Sequence, residues 1–162
     1  MANKQFRTEL TSVNESEALY CIYSMMRISA KLYCSLAGVV EVQALRNCFS
    51  ANCRTRTAIA DDIQGTLHIK SGAAPGSGME MELQPLYDWY HSAINNDQTF
   101  TIQALLQREQ QLLRFMRQWI SGLQGGDYYS WLANHIASLQ LMYDKMQWVL
   151  KDINKKAELV RL

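Results

Sequence analysis

Residues 132–153 read LANHIASLQLMYDKMQWVLKDI, with large apolar side chains at Leu132, Ile136, Leu139, Tyr143, Met146, Leu150 and Ile153. Steps of three and four residues keep these groups on one face of an α-helix that turns ~100° per residue. The stretch has no glycine, no proline and no alternation of period two, so it does not read as a strand. A helix apolar along one face must bury that face against other elements. Leu141 and Trp148 fall off the stripe and point away from it, which makes them candidates for an interface.

The same periodicity recurs upstream. Leu19, Ile22, Tyr23, Met26, Ala30, Tyr33 and Ala37 predict a first helix over about 14–37, behind a capping box at Ser12 to Glu15 or Asn14 to Glu17. Val42, Leu45, Phe49, Ile59, Ala60 and Ile63 predict a second over about 40–67, antiparallel to the first across a short turn at Gly38. Leu83, Leu86, Tyr87, Tyr90 and Ile94 mark a short helix over about 83–95. Ile102, Leu105, Leu112, Met116, Trp119 and Leu123 mark a long one over about 98–123, and QGGD at 124–127 then allows a tight reversal into the last helix, about 128–158. Between the second and third helices, IKSGAAPGSGMEMELQP breaks all periodicity and predicts a flexible loop over about 68–82, either a crossover or a mobile segment. The expected fold is all-α: one domain over 1–162, a four-helix bundle with an additional short helix and a long loop.

Composition narrows the function classes. A chain of 162 residues is long enough to bury about two thirds of its unfolded surface without disulfides. Sixteen basic residues against fifteen acidic ones give no excess that would favour nucleic acid or an anionic membrane surface. No stretch approaches the ~20 apolar residues of a membrane span, and the beginning, MANKQFRTEL, has no apolar leader core, so a cytoplasmic location is expected. The four cysteines, Cys21, Cys34, Cys48 and Cys53, lack the paired spacings of zinc ligands. Cys48 and Cys53 lie roughly 140° apart around a helix, so they cannot bond to each other. Reduced thiols packed as small apolar groups are expected.

Polar residues on apolar faces carry the site expectation. On the second helix the stripe set by Leu45, Phe49 and Ile63 has Asn52 and Arg56 at its centre; on the fourth it has Glu109. Lone buried charges are very costly, whereas an arginine–carboxylate pair with its remaining donors satisfied is tolerated, so Arg56 and Glu109 are expected to pair inside the bundle. Asn52 and Tyr143 are expected as further core polar groups. Such a pair either fixes helix register without chemistry or holds a substrate or anion. The first helix also carries a second apolar row, Cys21, Met25, Ile28 and Leu32, nearly opposite its main stripe. Either the short third helix covers this row or another subunit does.

In element order, and in the stretches ANCRTRTAIADDI, PLYDWYHSAINNDQ leading into LLQREQQLLRFM, and LQLMYDKMQWVL, the chain resembles small bacterial ferritin-like four-helix-bundle domains of unknown function over most of residues 17–153. The resemblance implies a glutamate at position 109, and a His-Asp pair where this chain has Tyr143 and Asp144. Di-iron bundles of that kind need a Glu from each of two helices and two Glu-x-x-His motifs facing inward. No Glu-x-x-His is present here, and Arg56 would set a cation where a divalent metal is to bind. His135 flanks the core face of the last helix alone, and His68 lies at a helix end or in the loop. No nucleophile elbow or phosphate loop can be read either, so no catalytic residue is assigned. The favoured expectation is a non-catalytic interaction or structural module without a cofactor, working as a homo-oligomer or with a protein partner. The alternative is a metal-binding bundle with an oxidoreductase or metal-storage role, holding iron or manganese through Glu109, Asp144, Asp88 and His91.

Overall fold

The first two helices, α1 (Ala2–Val39) and α2 (Gln43–Leu67), form a hairpin across residues 40–42. In the computed structural model the backbone is described for residues 2–67, 78–95, 100–121 and 128–161, and side chains for 17–65, 83–95, 100–121 and 128–156. The turn is fastened by Arg46, whose guanidinium donates to the carbonyl of Val40 at 3.0 and 3.2 Å, while the Val40 amide donates to the carbonyl of Leu36 at 3.0 Å. These contacts satisfy backbone groups that a helix end otherwise leaves open. The antiparallel register shows in the pairs across the hairpin: Arg27 bonds Asp61 at 2.6 Å and Gln64 at 2.8 Å, Cys34 meets Cys53, and Tyr33 meets Phe49.

Three further helices follow: α3 (Gly78–Ile94), α4 (Ile102–Ser121) and α5 (Tyr129–Arg161). Thr101 caps α4, its hydroxyl accepting from the Ala104 amide at 3.1 Å. α1 packs on α2 and on α3, α2 also packs on α5, and α5 on α4. Asn52 reaches Met146 while Asp62 acts on His135, so α2 and α5 run in opposite directions. Arg117 bonds Gln140 while Glu109 acts on Tyr143, so α4 opposes α5 and runs the same way as α2. Because α2 and α4 run the same way, the chain between them must return along the molecule, and α3 lies on that return. One continuous core draws buried residues from all five helices, including Ile22, Tyr33, Phe49, Ile63, Leu86, Met116 and Met146.

Among the described residues there are five helices and no strand. Several boundaries differ from the sequence expectation: the turn falls at residues 40–42 with Gly38 still inside α1, α2 begins at Gln43 and α4 at Ile102, a few residues later than expected, and the starts of α1 and α3 differ most. α1 begins at Ala2, so positions 12 and 14 lie within the helix and not at its start; the chain before 14 has no glycine or proline to stop a helix propagating backwards. α3 begins at Gly78 with Pro85 inside it, so residues 78–82 belong to a helix instead of a loop. The rest of the expected flexible loop, residues 68–77, lies outside the described residues, as do the expected reversal at QGGD, most of the break at NNDQ, and His68. No helix among the described residues is long and apolar enough to cross a membrane.

Candidate functional site

Arg56 enters the core because α2 places Phe49, Arg56 and Ile63 seven residues apart, two turns each, on one face. Asn52 sits one turn before Arg56 on the same face. Glu109 is carried inward between Leu105 and Leu112 on α4, and Tyr90 between Leu86 and Ala93 on α3. Arg56 and Glu109 are each only 1% exposed, which makes them the buried charged residues among those described.

The structure brings Arg56 and Glu109 together: Arg56 Nη2 donates to Glu109 Oε2, and Tyr90 Oη donates to Glu109 Oε1. Arg56 Nε donates to Asn52 Oδ1 at 3.3 Å, and Asn52 Nδ2 donates to the carbonyl of Cys48 at 3.0 Å while facing Met146 Sδ at 3.7 Å. The guanidinium lies over the ring of Tyr33, 4.6 Å from its centre, an arrangement in which ring and cation attract. Tyr33 comes from α1, Asn52 and Arg56 from α2, Tyr90 from α3, Glu109 from α4 and Met146 from α5. One connected group therefore touches every helix. Arg56 Nη1 and Tyr33 Oη are buried without a protein hydrogen-bond partner.

Electrostatics fixes the protonation of this group. Burial alone would lower the Arg56 pKa, but the adjacent Glu109 and the two tyrosine rings raise it above its ordinary value, so the guanidinium stays charged. Burial first, and then the Glu109 carboxylate, pushes Tyr33 and Tyr90 well above the ordinary phenol range, with Arg56 opposing. A permanently charged arginine and two phenols that hold their protons make a poor acid–base pair near neutrality. What the arrangement does well is hold one helix register, because separating its members would strand a charge in the core.

The other candidate residues stand apart from it. Tyr143 is buried on α5 and accepts a hydrogen bond from Gln147 at 2.9 Å, outside the Arg56 group. Of the four alternative metal ligands, only Glu109 faces the core. Asp88 is exposed on α3, accepting from Gln84 at 2.7 Å; His91 is exposed beside Asn95 at 3.1 Å and against Tyr87; Asp144 is exposed on α5, accepting from Gln140 at 2.9 Å. Among the described residues no three His, Cys, Asp or Glu side chains stand close enough to share a metal ion. His135 packs edge-on to Trp131, and burial lowers its pKa.

Two expectations need correction. The row Cys21, Met25, Ile28 and Leu32 is not a subunit interface: all four are buried within the chain, and Leu83, Gln84 and Tyr87 of α3 line a cavity of about 210 Å³ with Tyr20, Cys21, Ser24 and Met25. The cysteines are not all thiols either. Cys34 and Cys53 form a disulfide between α1 and α2 with a Cα–Cα separation of 5.3 Å, while Cys21 and Cys48 are buried and lie outside that bond. By contrast, Leu141 and Trp148 are 70% and 67% exposed on α5.

Sequence reading placed Tyr33 and Tyr90 on apolar stripes without assigning them a polar role. The signal was that a buried tyrosine hydroxyl seeks a polar neighbour, and Glu109 was the carboxylate within the core. The chain matches no protein-family model, no curated protein and no solved structure.

Proposed function

We propose that the chain is a non-catalytic helical-bundle module, ferritin-like in architecture but without a complete metal site, that works by associating with a second copy of itself. The observation that carries this reading is the engagement of Glu109. The single carboxylate buried among the described residues already accepts from Arg56 and Tyr90, and it has a cation beside it. A divalent metal at that position would have to displace the guanidinium, leaving a second buried charge without a partner. Connectivity supports the ferritin-like part: α2 and α4 run parallel and are joined by one long return, as in bundles with a single crossover. Association is supported by Leu141 and Trp148, large apolar groups held in water on an otherwise polar helix face. A cytoplasmic location fits this reading if Cys34 and Cys53 are kept as a dithiol there, since reducing compartments open such pairs.

Two measurements on the whole chain, purified without chelator or affinity tag, test the proposal. Elemental analysis is expected to find less than stoichiometric iron, manganese or zinc, and sedimentation at tens of micromolar is expected to find a dimer. One equivalent of iron that survives dialysis would replace this reading with a metal-binding one. A monomer at that concentration would remove self-association from it.

A further inference from the structure

The Cys34–Cys53 bond joins α1 to α2, and its two ends are not alike. Cys34 is exposed, whereas Cys53 is half-buried and packs against the core. Exposed disulfides are the labile ones, because exchange needs a thiolate to reach one of the sulfurs. The hairpin is also held without the bond: Arg27 grips Asp61 and Gln64, and Tyr33 meets Phe49. The bond can therefore open and close while the two helices stay paired. Charge around it is one-sided, since residues 18–40 and 42–60, which carry both cysteines, contain no Asp or Glu. Lys31, one turn before Cys34, and Arg54, next to Cys53, are exposed and have no ion-pair partner among the described residues. Such a surface draws in anions and repels cations. Cys21 and Cys48 are buried, so they do not compete for a reagent in water.

We infer that Cys34 and Cys53 are a reversible redox couple that exchanges with an anionic small thiol of the glutathione class, and that Cys34 is the sulfur that carries the mixed disulfide. Glutathione suits this surface because its carboxylates outnumber its ammonium group. Its thiolate attacks Cys34 Sγ. The new S–S bond forms as the Cys34–Cys53 bond breaks, and the electron pair leaves on the Cys53 sulfur, which takes a proton from water. A second glutathione thiolate then attacks the glutathione sulfur of the mixed disulfide. That step releases Cys34 as a thiolate, which is protonated in turn, and yields glutathione disulfide. Both glutathione thiols are oxidised and the protein disulfide is reduced to a dithiol. In an oxidised pool the same steps run backwards.

The test uses the whole chain, equilibrated in buffers of stepped ratio of glutathione to glutathione disulfide, quenched with acid, alkylated and read by peptide mass. Disulfide and dithiol are expected to interconvert across the series. A minor species trapped early in reduction is expected to carry one glutathione on Cys34, and circular dichroism is expected to show the same helicity throughout. In Cys53→Ser, Cys34 is expected to take up glutathione from its disulfide about tenfold faster than Cys53 does in Cys34→Ser. Adding Lys31→Glu and Arg54→Glu to Cys53→Ser is expected to slow that uptake about tenfold at low salt, and to speed reaction with cystamine, a cationic disulfide. Both positions are exposed, and circular dichroism checks that each variant stays helical. A pair that stays bonded, or stays as two thiols, at every ratio would overturn the couple, and so would a loss of helicity on reduction. Faster uptake by Cys53 would overturn the role of Cys34. An unchanged rate in the charge-reversed protein would overturn the preference for an anionic thiol.

Discussion

Arg56 owes its place in the core to Glu109, and the reverse holds equally. Changing Arg56 to Met or Glu109 to Leu alone would leave one charge buried without its partner, at an expected cost of about 3 kcal/mol. Changing both removes both desolvation costs, so the double variant is expected to recover much of that loss, and urea unfolding of the four proteins measures the coupling. Additive losses would contradict direct contact. The tyrosines make a second expectation. Phenols held above their ordinary pKa in the fold give stability that is present below about pH 10 and is lost as pH rises through the folded values, since the unfolded chain releases those protons first. An alkaline spectrophotometric titration is therefore expected to show Tyr33 and Tyr90 ionising only with unfolding. In Tyr33→Phe with Tyr90→Phe the phase before unfolding should keep its amplitude and the unfolding phase should shrink. At this scale the charged pair was legible in the sequence, because a charge at the centre of an apolar stripe has few tolerable explanations. The tyrosines were not, because one side chain serves as both apolar filler and hydrogen-bond donor.

At the scale of elements, the Cys34–Cys53 bond ties α1 to α2 within a turn of Arg56 and beside Tyr33, the ring on which the guanidinium rests. A closed loop of this size is expected to contribute about 2–4 kcal/mol, mostly by restricting the unfolded chain. A reducing agent is thus expected to lower the melting temperature by roughly 4–16 °C, and to have no effect on Cys34→Ser with Cys53→Ser. An unchanged melting temperature in wild-type protein would mean that the bond is absent in solution. Periodicity within each helix was readable from the chain, since apolar faces at three- and four-residue steps declare themselves. What joins the helices was not readable in the same way. The two cysteines face each other although Cys34 lies closer to the turn at residues 40–42 than Cys53 does, an offset that becomes visible only once the hairpin register is known. The second row on α1 poses the same problem: its pattern says that something covers it, and only the path of α3 says what.

For the molecule as a whole, the two apolar sets on α1 and α5 predict opposite responses to the same kind of substitution. Met25 and Ile28 are buried against the chain itself, so a charge introduced there destabilises the fold at every protein concentration. Leu141 and Trp148 contribute little to the core, so Leu141→Lys with Trp148→Lys should leave the isolated fold nearly as stable as before. Dimerisation adds stability by mass action, so the wild-type melting temperature is expected to rise with protein concentration. The expected contrast is that the α5 variant melts at one temperature from one to one hundred micromolar, close to the wild-type value at the dilute end. Met25→Glu should melt lower throughout and keep its dependence on concentration. Scanning calorimetry across that range separates the cases, because only a surface that binds another copy couples stability to concentration without lowering the dilute limit. A wild-type melting temperature that stays constant over the range would show that burial inside one chain accounts for all the stability, and that α5 faces water in solution.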